Sequence, residues 1–195
     1  MPSVATPPRS SKPKSTLKRR ALPAGLTGAA LLARAKSGEF GRGIDWTAVS
    51  MAHAGRRSRS RGACPMRLDP DFLIDLGGNR SSRRRSDALA FLAMHPAQQF
   101  YVSRISWAEL AEGVERREDT RQALGGFGCL EVGEDTAWIA SRIARRLKRT
   151  GLHIGDNDVW QAAITLEHDL TLVTGNERHF TRVDRLHVES HRPAV

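Results

Sequence analysis

Cysteine is scarce in this chain: Cys64 and Cys129 are the only two, and they fall on either side of a marked change in composition. That excludes a disulfide framework and leaves no thiolate spacing for a metal; a reducing cytoplasm fits. No apolar run approaches the ~20 residues needed to span a bilayer, so a membrane partner is not expected. Apolar residues make up 39% of the 195 residues, low for a fully folded chain of this length. Acids are nearly missing from the first 65 residues, which hold thirteen Lys/Arg against Glu39 and Asp45 alone. Subtracting these from the chain's 31 Lys/Arg and 21 Asp/Glu leaves 18 and 19. The net charge of +10 therefore belongs to the first third, and it says little about the partner of the rest.

That first third, 1–65, reads as a disordered basic extension. It opens with Pro, Ser and Lys/Arg and closes on Arg56-Arg57-Ser58-Arg59-Ser60-Arg61. Such a composition buries too little apolar surface to offset the entropy of ordering. Within it, Leu22 to Ala35 is small and apolar and could form a short helix. A basic stretch before an apolar one is also the outline of a secretory signal, although the domain that follows looks intracellular. Two other readings stay open: Met66 as the true start of the protein, or an arm that binds phosphates.

From Met66 onward, strand-like and helix-like runs alternate. Strands are expected at Met66–Asp69, Phe100–Ile105, Leu130–Val132, Leu170–Thr174 and Leu186–Glu189. Helices are expected at Arg83–Met94, Trp107–Glu118, Thr136–Thr150 and Asn157–His168. In the third of these, Ile139, Ile143 and Leu147 recur at helical spacing, and Gly151 follows as a stop. Alternation of this kind predicts an α/β domain over 66–195, in three α/β/α layers around a mainly parallel sheet.

Parallel sheets place ligands at the carboxyl ends of their strands. Asp69 ends the first strand, Glu109 follows the second, Asp158 opens the helix before the Leu170–Thr174 strand, and Asn176 comes just after it. Converging carboxylates repel and raise one another's pKa. A hard cation such as Mg2+ or Mn2+ removes that cost, prefers oxygen ligands, and activates water. Each residue also has a plain structural role available. Ser106 and Glu109 form a capping box; Asp158 suits a helix N-terminus; Asp69, Asp71 and Asn176 suit turns. Only their joint order favours a site.

That order carries a resemblance. Met66-Arg67-Leu68-Asp69-Pro70-Asp71-Phe72-Leu73-Ile74-Asp75 resembles the opening of the PIN-domain toxins of the VapC family. Ile105-Ser106-Trp107-Ala108-Glu109-Leu110 is similar to their second motif. Ile154-Gly155-Asp156-Asn157-Asp158, with Ala162-Ala163, is similar to the third, and Leu172-Val173-Thr174-Gly175-Asn176-Glu177-Arg178-His179-Phe180 to the fourth. The resemblance covers 66–195 and none of the extension. It implies a Mg2+- or Mn2+-dependent ribonuclease that cuts single-stranded RNA, a VapB-like antitoxin as inhibitor, a homodimer and a cytoplasmic setting. It makes Asp69 and Asp158 the principal metal ligands, with Glu109 completing the acidic cluster and Thr174 lining the site. Asn176 stands where many relatives have Asp, which puts a second metal in doubt. Pro70 departs from the usual Thr.

Other features are ambiguous. Arg142, Arg146 and Arg149 share a helix face and either steer RNA or are simply solvated. Arg83-Arg84-Arg85 is equally a solvated run or a meeting point for an acidic antitoxin segment. Trp107 and Trp160 read as packing rather than as base-stacking platforms. His153 and His179 receive no role. Two competing functions remain. One is a haloacid-dehalogenase-type phosphohydrolase built on Asp69-Pro70-Asp71, weakened because Lys148 is the only lysine after residue 65. The other is a catalytically inactive PIN-like binding module.

Overall fold

The structure is a computed structural model and describes residues 21–38, 40, 65–78 and 82–193. Its elements in chain order are β1 (Leu26–Thr27), α1 (Gly28–Ser37), β2 (Met66–Leu68), α2 (Pro70–Gly77), α3 (Arg83–Met94), β3 (Gln99–Ser103), α4 (Arg104–Ala111), α5 (Arg117–Leu124), β4 (Gly128–Leu130), α6 (Glu134–Arg149), α7 (Asp156–Glu167), β5 (Thr171–Thr174), α8 (Glu177–Phe180) and β6 (His187–Ser190).

Strands β4, β3, β2, β5 and β6 pair in parallel in that spatial order. Strand β1 adds an antiparallel contact on β3, at Leu26–Phe100 and Thr27–Gln99. The period-2 alternation of strands sorts the side chains to two faces. Leu68, Phe100, Val102 and Val173 join the core beneath α1, α2 and α3, with Phe72, Phe91 and Leu92. Leu172 and Val188 face α6 and α7, where Ala140, Ile143, Leu147, Val159 and Ala163 close a second core. Three layers result, as the alternation of elements predicts.

The boundary at residue 66 needs correction. Residues 26–37 belong to the folded unit: Leu31 and Ala35 are fully buried, and Phe40 nearly so, in the same core as Phe72 and Phe91. Averaged over 65 residues, the composition is too polar to fold, but the apolar stretch from Leu26 to Ala35 is locally sufficient. Thr27 caps α1 by accepting from the Ala30 amide at 3.2 Å. Gly28 donates to the Gln98 carbonyl at 2.9 Å, and a Cβ there would strike the His95 carbonyl. The arms at 1–20 and 41–64 lie outside the described residues.

Arg85 is a second correction. It is neither solvated nor available to a partner: it is buried, and its guanidinium donates to the Ala35 carbonyl at 2.8 Å and to the Leu76 carbonyl. It thereby ties the C-terminal ends of α1 and α2 together, where carbonyls lack helical partners. The expected helix at Trp107–Glu118 is two helices. α4 begins three residues earlier and ends at Ala111, and α5 takes up the chain at Arg117. Trp107 and Trp160 are partly buried against the two cores.

Candidate functional site

The carboxyl ends of β2 and β5 lie side by side, with Leu68 opposite Val173. Asp69 leaves β2 while its amide still donates to the Val173 carbonyl at 2.9 Å. It then serves as the N-cap residue of α2, with Pro70 in the first turn, where a missing N–H costs nothing. Across the sheet, Thr174 ends β5 and donates its hydroxyl to Asp69 Oδ2 at 2.7 Å. The Asn176 amide donates to that same hydroxyl oxygen at 2.9 Å. The turn after β5 is thus bonded through Thr174 to the first carboxylate.

Asp158 sits in the first turn of α7, where the helix dipole favours an anion. Its Oδ2 lies 2.7 Å from His179 Nδ1, and Asn176 Nδ2 lies 2.9 Å from the same nitrogen. One ring nitrogen cannot both donate to Asp158 and accept from Asn176. With the proton on Nδ1, the imidazole donates to the carboxylate and the Asn176 amide presents its oxygen instead. His179, to which the sequence assigned nothing, therefore positions Asp158; its signal was its place one helical turn after Asn176.

Glu109 stands further back. Its Oε1 accepts from Asn157 Nδ2 at 2.8 Å and its Oε2 from Gln161 Nε2 at 3.0 Å. The capping-box explanation for it fails. Ser103, not Ser106, caps α4, accepting from the Ser106 amide at 3.0 Å, so Glu109 lies in the helix body. Asp71 is almost wholly buried; its Oδ2 accepts from the Gly175 amide at 3.1 Å, and Arg192 approaches it at 3.8 Å.

At the centre of these groups is a residue the sequence reading passed over. Arg67 alternates with Met66 and Leu68 along β2, so it points to the α4–α7 side, and it is fully buried. Its Nε donates to Thr165 Oγ1 at 2.8 Å and its Nη1 to Gln161 Oε1, while Nη2 stands 3.8 Å from Asp69 Oδ1. Burial lowers its pKa and Asp69, Glu109 and Asp158 partly offset that, leaving it at about 10, so it is charged at neutral pH. The same burial holds the Asp69 carboxyl well above the ordinary range; Asp71 and Asp158 push it further, and Arg67 and Thr174 oppose them. The structure therefore links Asp69 to Asp158 through Thr174, Asn176 and His179, and Glu109 to Asp69 through Gln161 and Arg67.

The sequence profile of the PIN domain matches residues 67–186. The chain belongs to the PIN domain family. Among curated PIN relatives, Ribonuclease VapC1 of Haemophilus influenzae is 28% identical over 129 residues, which span 61% of this chain and 92% of the relative. Among solved structures, VapBC-1 from nontypeable Haemophilus influenzae matches at 27% identity with a TM-score of 0.54, over 65% of this chain and 97% of that one. FitAcB from Neisseria gonorrhoeae matches at 23% identity with a TM-score of 0.56, with the same two coverages. The PIN fold thus accounts for the three layers and for the place of Asp69 and Thr174 at the ends of β2 and β5.

Whether these residues suit a metal ion is a matter of donors. Among the described residues, no three acidic, His or Cys side chains stand together as a ready-made cage. A hydrated ion needs less: Mg2+ keeps several waters and uses one or two carboxylates. The crowding that raises the Asp69 pKa is the cost a cation relieves. Asp71 Oδ1 is buried with no hydrogen-bond partner among the described residues. An oxygen donor of this kind fits a hard cation and its waters.

Proposed function

We propose that this chain is a VapC-like endoribonuclease, the toxin of a toxin–antitoxin pair, and that it hydrolyses single-stranded RNA with Mg2+ or Mn2+. The observation that carries the reading is the chain of contacts from Asp69 through Thr174 and Asn176 to His179 and Asp158, at the carboxyl end of β5 in a PIN fold. The similarity to Ribonuclease VapC1 supports a nuclease. Asp69 and Asp158 would hold the ion, and Glu109 would reach it through water. When bound, the ion lowers the pKa of a water and offsets charge on the phosphodiester.

The chain's own groups perform the rest. Arg67 limits repulsion among the carboxylates from its fully buried place in β2. Thr174 fixes the Asp69 carboxylate, and His179 fixes that of Asp158. Asn176, a neutral donor where an acid would add charge, favours a single ion. Hydrolysis joins a water oxygen to phosphorus and breaks the bond to the leaving ribose oxygen, which takes up a proton. A VapB-like antitoxin and a homodimer are proposed from the resemblance to VapC toxins; the VapBC-1 structure is a complex of that kind. Among the described residues, no helix is long and apolar enough to cross a membrane.

A phosphohydrolase built on Asp69 fits less well. Its carboxylate is buried against Thr174, and Lys148 lies on the exposed face of α6. The decisive experiment incubates the full chain with single-stranded RNA, with and without Mg2+ or Mn2+. Cleavage that needs the ion and is lost in both Asp69→Asn and Asp158→Asn is expected. Undiminished cleavage in either variant rejects the mechanism, and carboxylate-independent metal binding would favour an inactive binding module.

A further inference from the structure

Away from the carboxylates, α6 presents a face that its packing against α7 leaves uncovered. Trp138 is 60% exposed, unusual for so large an apolar side chain, and the Arg142 guanidinium lies 4.2 Å above its ring. Between α6 and the turn at 182–185 runs a groove of about 350 Å³, floored by Ile139, Ile143 and Val183 and rimmed by arginines. A second groove continues along the helix. Arg142, Arg145, Arg146, Arg149 and Thr150 line it, with no apolar side chain. From Trp138 to Arg149 the track is about 16 Å long at 1.5 Å per residue.

Two features identify the occupant. The charge is lopsided: against these guanidiniums the grooves offer Asp184 alone, paired with Arg146. The apolar floor belongs to the first groove, from Ile139 to Leu147, and the second groove has none. An amphipathic acidic helix would need an apolar seam along the whole track. A nucleotide strand needs one flat platform and a row of cations, which is what is present. The track also leads toward the carboxylates. Arg182, on the wall of the first groove, donates to the His153 carbonyl at 3.4 Å, in the loop that enters the helix of Asp158. In addition, α6 and α7 pack lengthwise, with Leu147, Val159 and Ala163 in one core.

We infer that the α6 face from Trp138 to Arg149 is a binding track for single-stranded RNA, in which Trp138 stacks a base and the arginines take successive phosphates. The inference rests on the ribonuclease reading for its substrate but uses none of the carboxylates. It makes α6 the element that feeds the strand toward Asp158.

The test is binding without cleavage. The full chain in EDTA is titrated into a labelled 2′-O-methyl oligouridine of about twelve nucleotides, within the range of single-strand site sizes. Anisotropy and tryptophan emission are followed across a salt series. Trp138→Ala is expected to weaken binding about 5- to 150-fold, the range of one lost base stack, and to abolish the RNA-dependent quenching. Trp138→Phe should restore most of the affinity. Arg145→Ala/Arg149→Ala should flatten the log–log salt slope by about 1.4, at roughly 0.7 per phosphate. Melting curves matching wild type confirm that these exposed substitutions leave the fold intact.

Unchanged affinity and slope in these variants would overturn the track. So would polyglutamate binding through the same residues while RNA is ignored, which would make the face a dock for an acidic protein. A wild-type protein that binds RNA through this face but never cuts it would refute the nuclease reading and leave the track standing.

Discussion

Asp69→Asn should invert the effect of metal on stability. Asp69 is 4% exposed, and its carboxylate lies among Asp71 and Asp158 with only Thr174 and the 3.8 Å approach of Arg67 to offset them. A carboxyl whose pKa rises on folding binds protons more tightly in the native state. It imposes no penalty below the unfolded carboxylate pKa, where both states are protonated. The penalty grows as pH rises through that value and levels off above the raised native one. Asparagine has the same shape, keeps an oxygen to accept from Thr174, and carries no charge. In EDTA at neutral pH the variant should therefore be more stable than wild type by about 1–3 kcal/mol, the scale of one poorly compensated buried polar or charged group. With Mg2+ at one hundred times its Kd, wild type gains about 2.7 kcal/mol by linkage; the variant, short of a ligand, gains little. Urea denaturation in EDTA and in Mg2+, over pH 4 to 8, reads both effects. A variant that is less stable than wild type in EDTA would refute the crowding argument. One that gains as much from Mg2+ as wild type does would refute the ligand assignment.

Three further outcomes follow from other contacts. Arg67→Met should lose about 3–5 kcal/mol in urea denaturation, because removing one member of a buried charged cluster strands the others; Mg2+ should recover part of that loss, and a loss under 1 kcal/mol would deny Arg67 its compensating role. Asp75 is buried and accepts from His191 at 2.9 Å and Arg192 at 2.7 Å; burial alone would raise its pKa, but these bonds outweigh it and hold the carboxyl below its usual value. Its contribution is therefore present above the unfolded pKa and lost as pH falls through the native one, so the stability gap between wild type and Asp75→Asn, about 3 kcal/mol at neutral pH, should narrow in acid; a gap constant down to pH 3 would contradict it. Gly155 precedes α7 with φ 100° and ψ 150°, and a Cβ there would touch nothing within 4 Å. Gly155→Ala should thus cost about 1–3 kcal/mol through backbone strain alone, which thermal melts can measure, and should weaken metal binding by displacing Asp158.

The parts of this fold legible in the sequence are those where one local pattern decides. α3 lies on the expected residues, and α6 and α7 fall within two residues of them, because each carries an apolar stripe and ends on a stop signal. The start of β2 and the end of β5 match, and the other strand ends were off by one to two residues, since a short buried strand and the turn after it share apolar character. Helix α5 went unread because its stripe is short and strongly charged, with only Thr120, Ala123 and Leu124 buried. The short helix within residues 26–37 was legible but its place in the core was not: its burial depends on α2 and α3, and the basic arms around it dominate any average. The position of Asp69 in the fold was legible because strand ends in a parallel sheet have a known direction, and that of Asp158 because α7 begins within one residue of the expected helix. Arg67 was not. An arginine inside a three-residue strand reads as an error of register or an exposed edge, and nothing nearby announces its partners. Thr165, Gln161 and Ser106 lie 98, 94 and 39 residues away in sequence. A buried charge is tolerated only where distant groups jointly compensate it, so its signal is spread over the same separations as the site itself. The carboxylates could be placed one element at a time; the buried cation beside them becomes visible only once all of those strands and helices are packed.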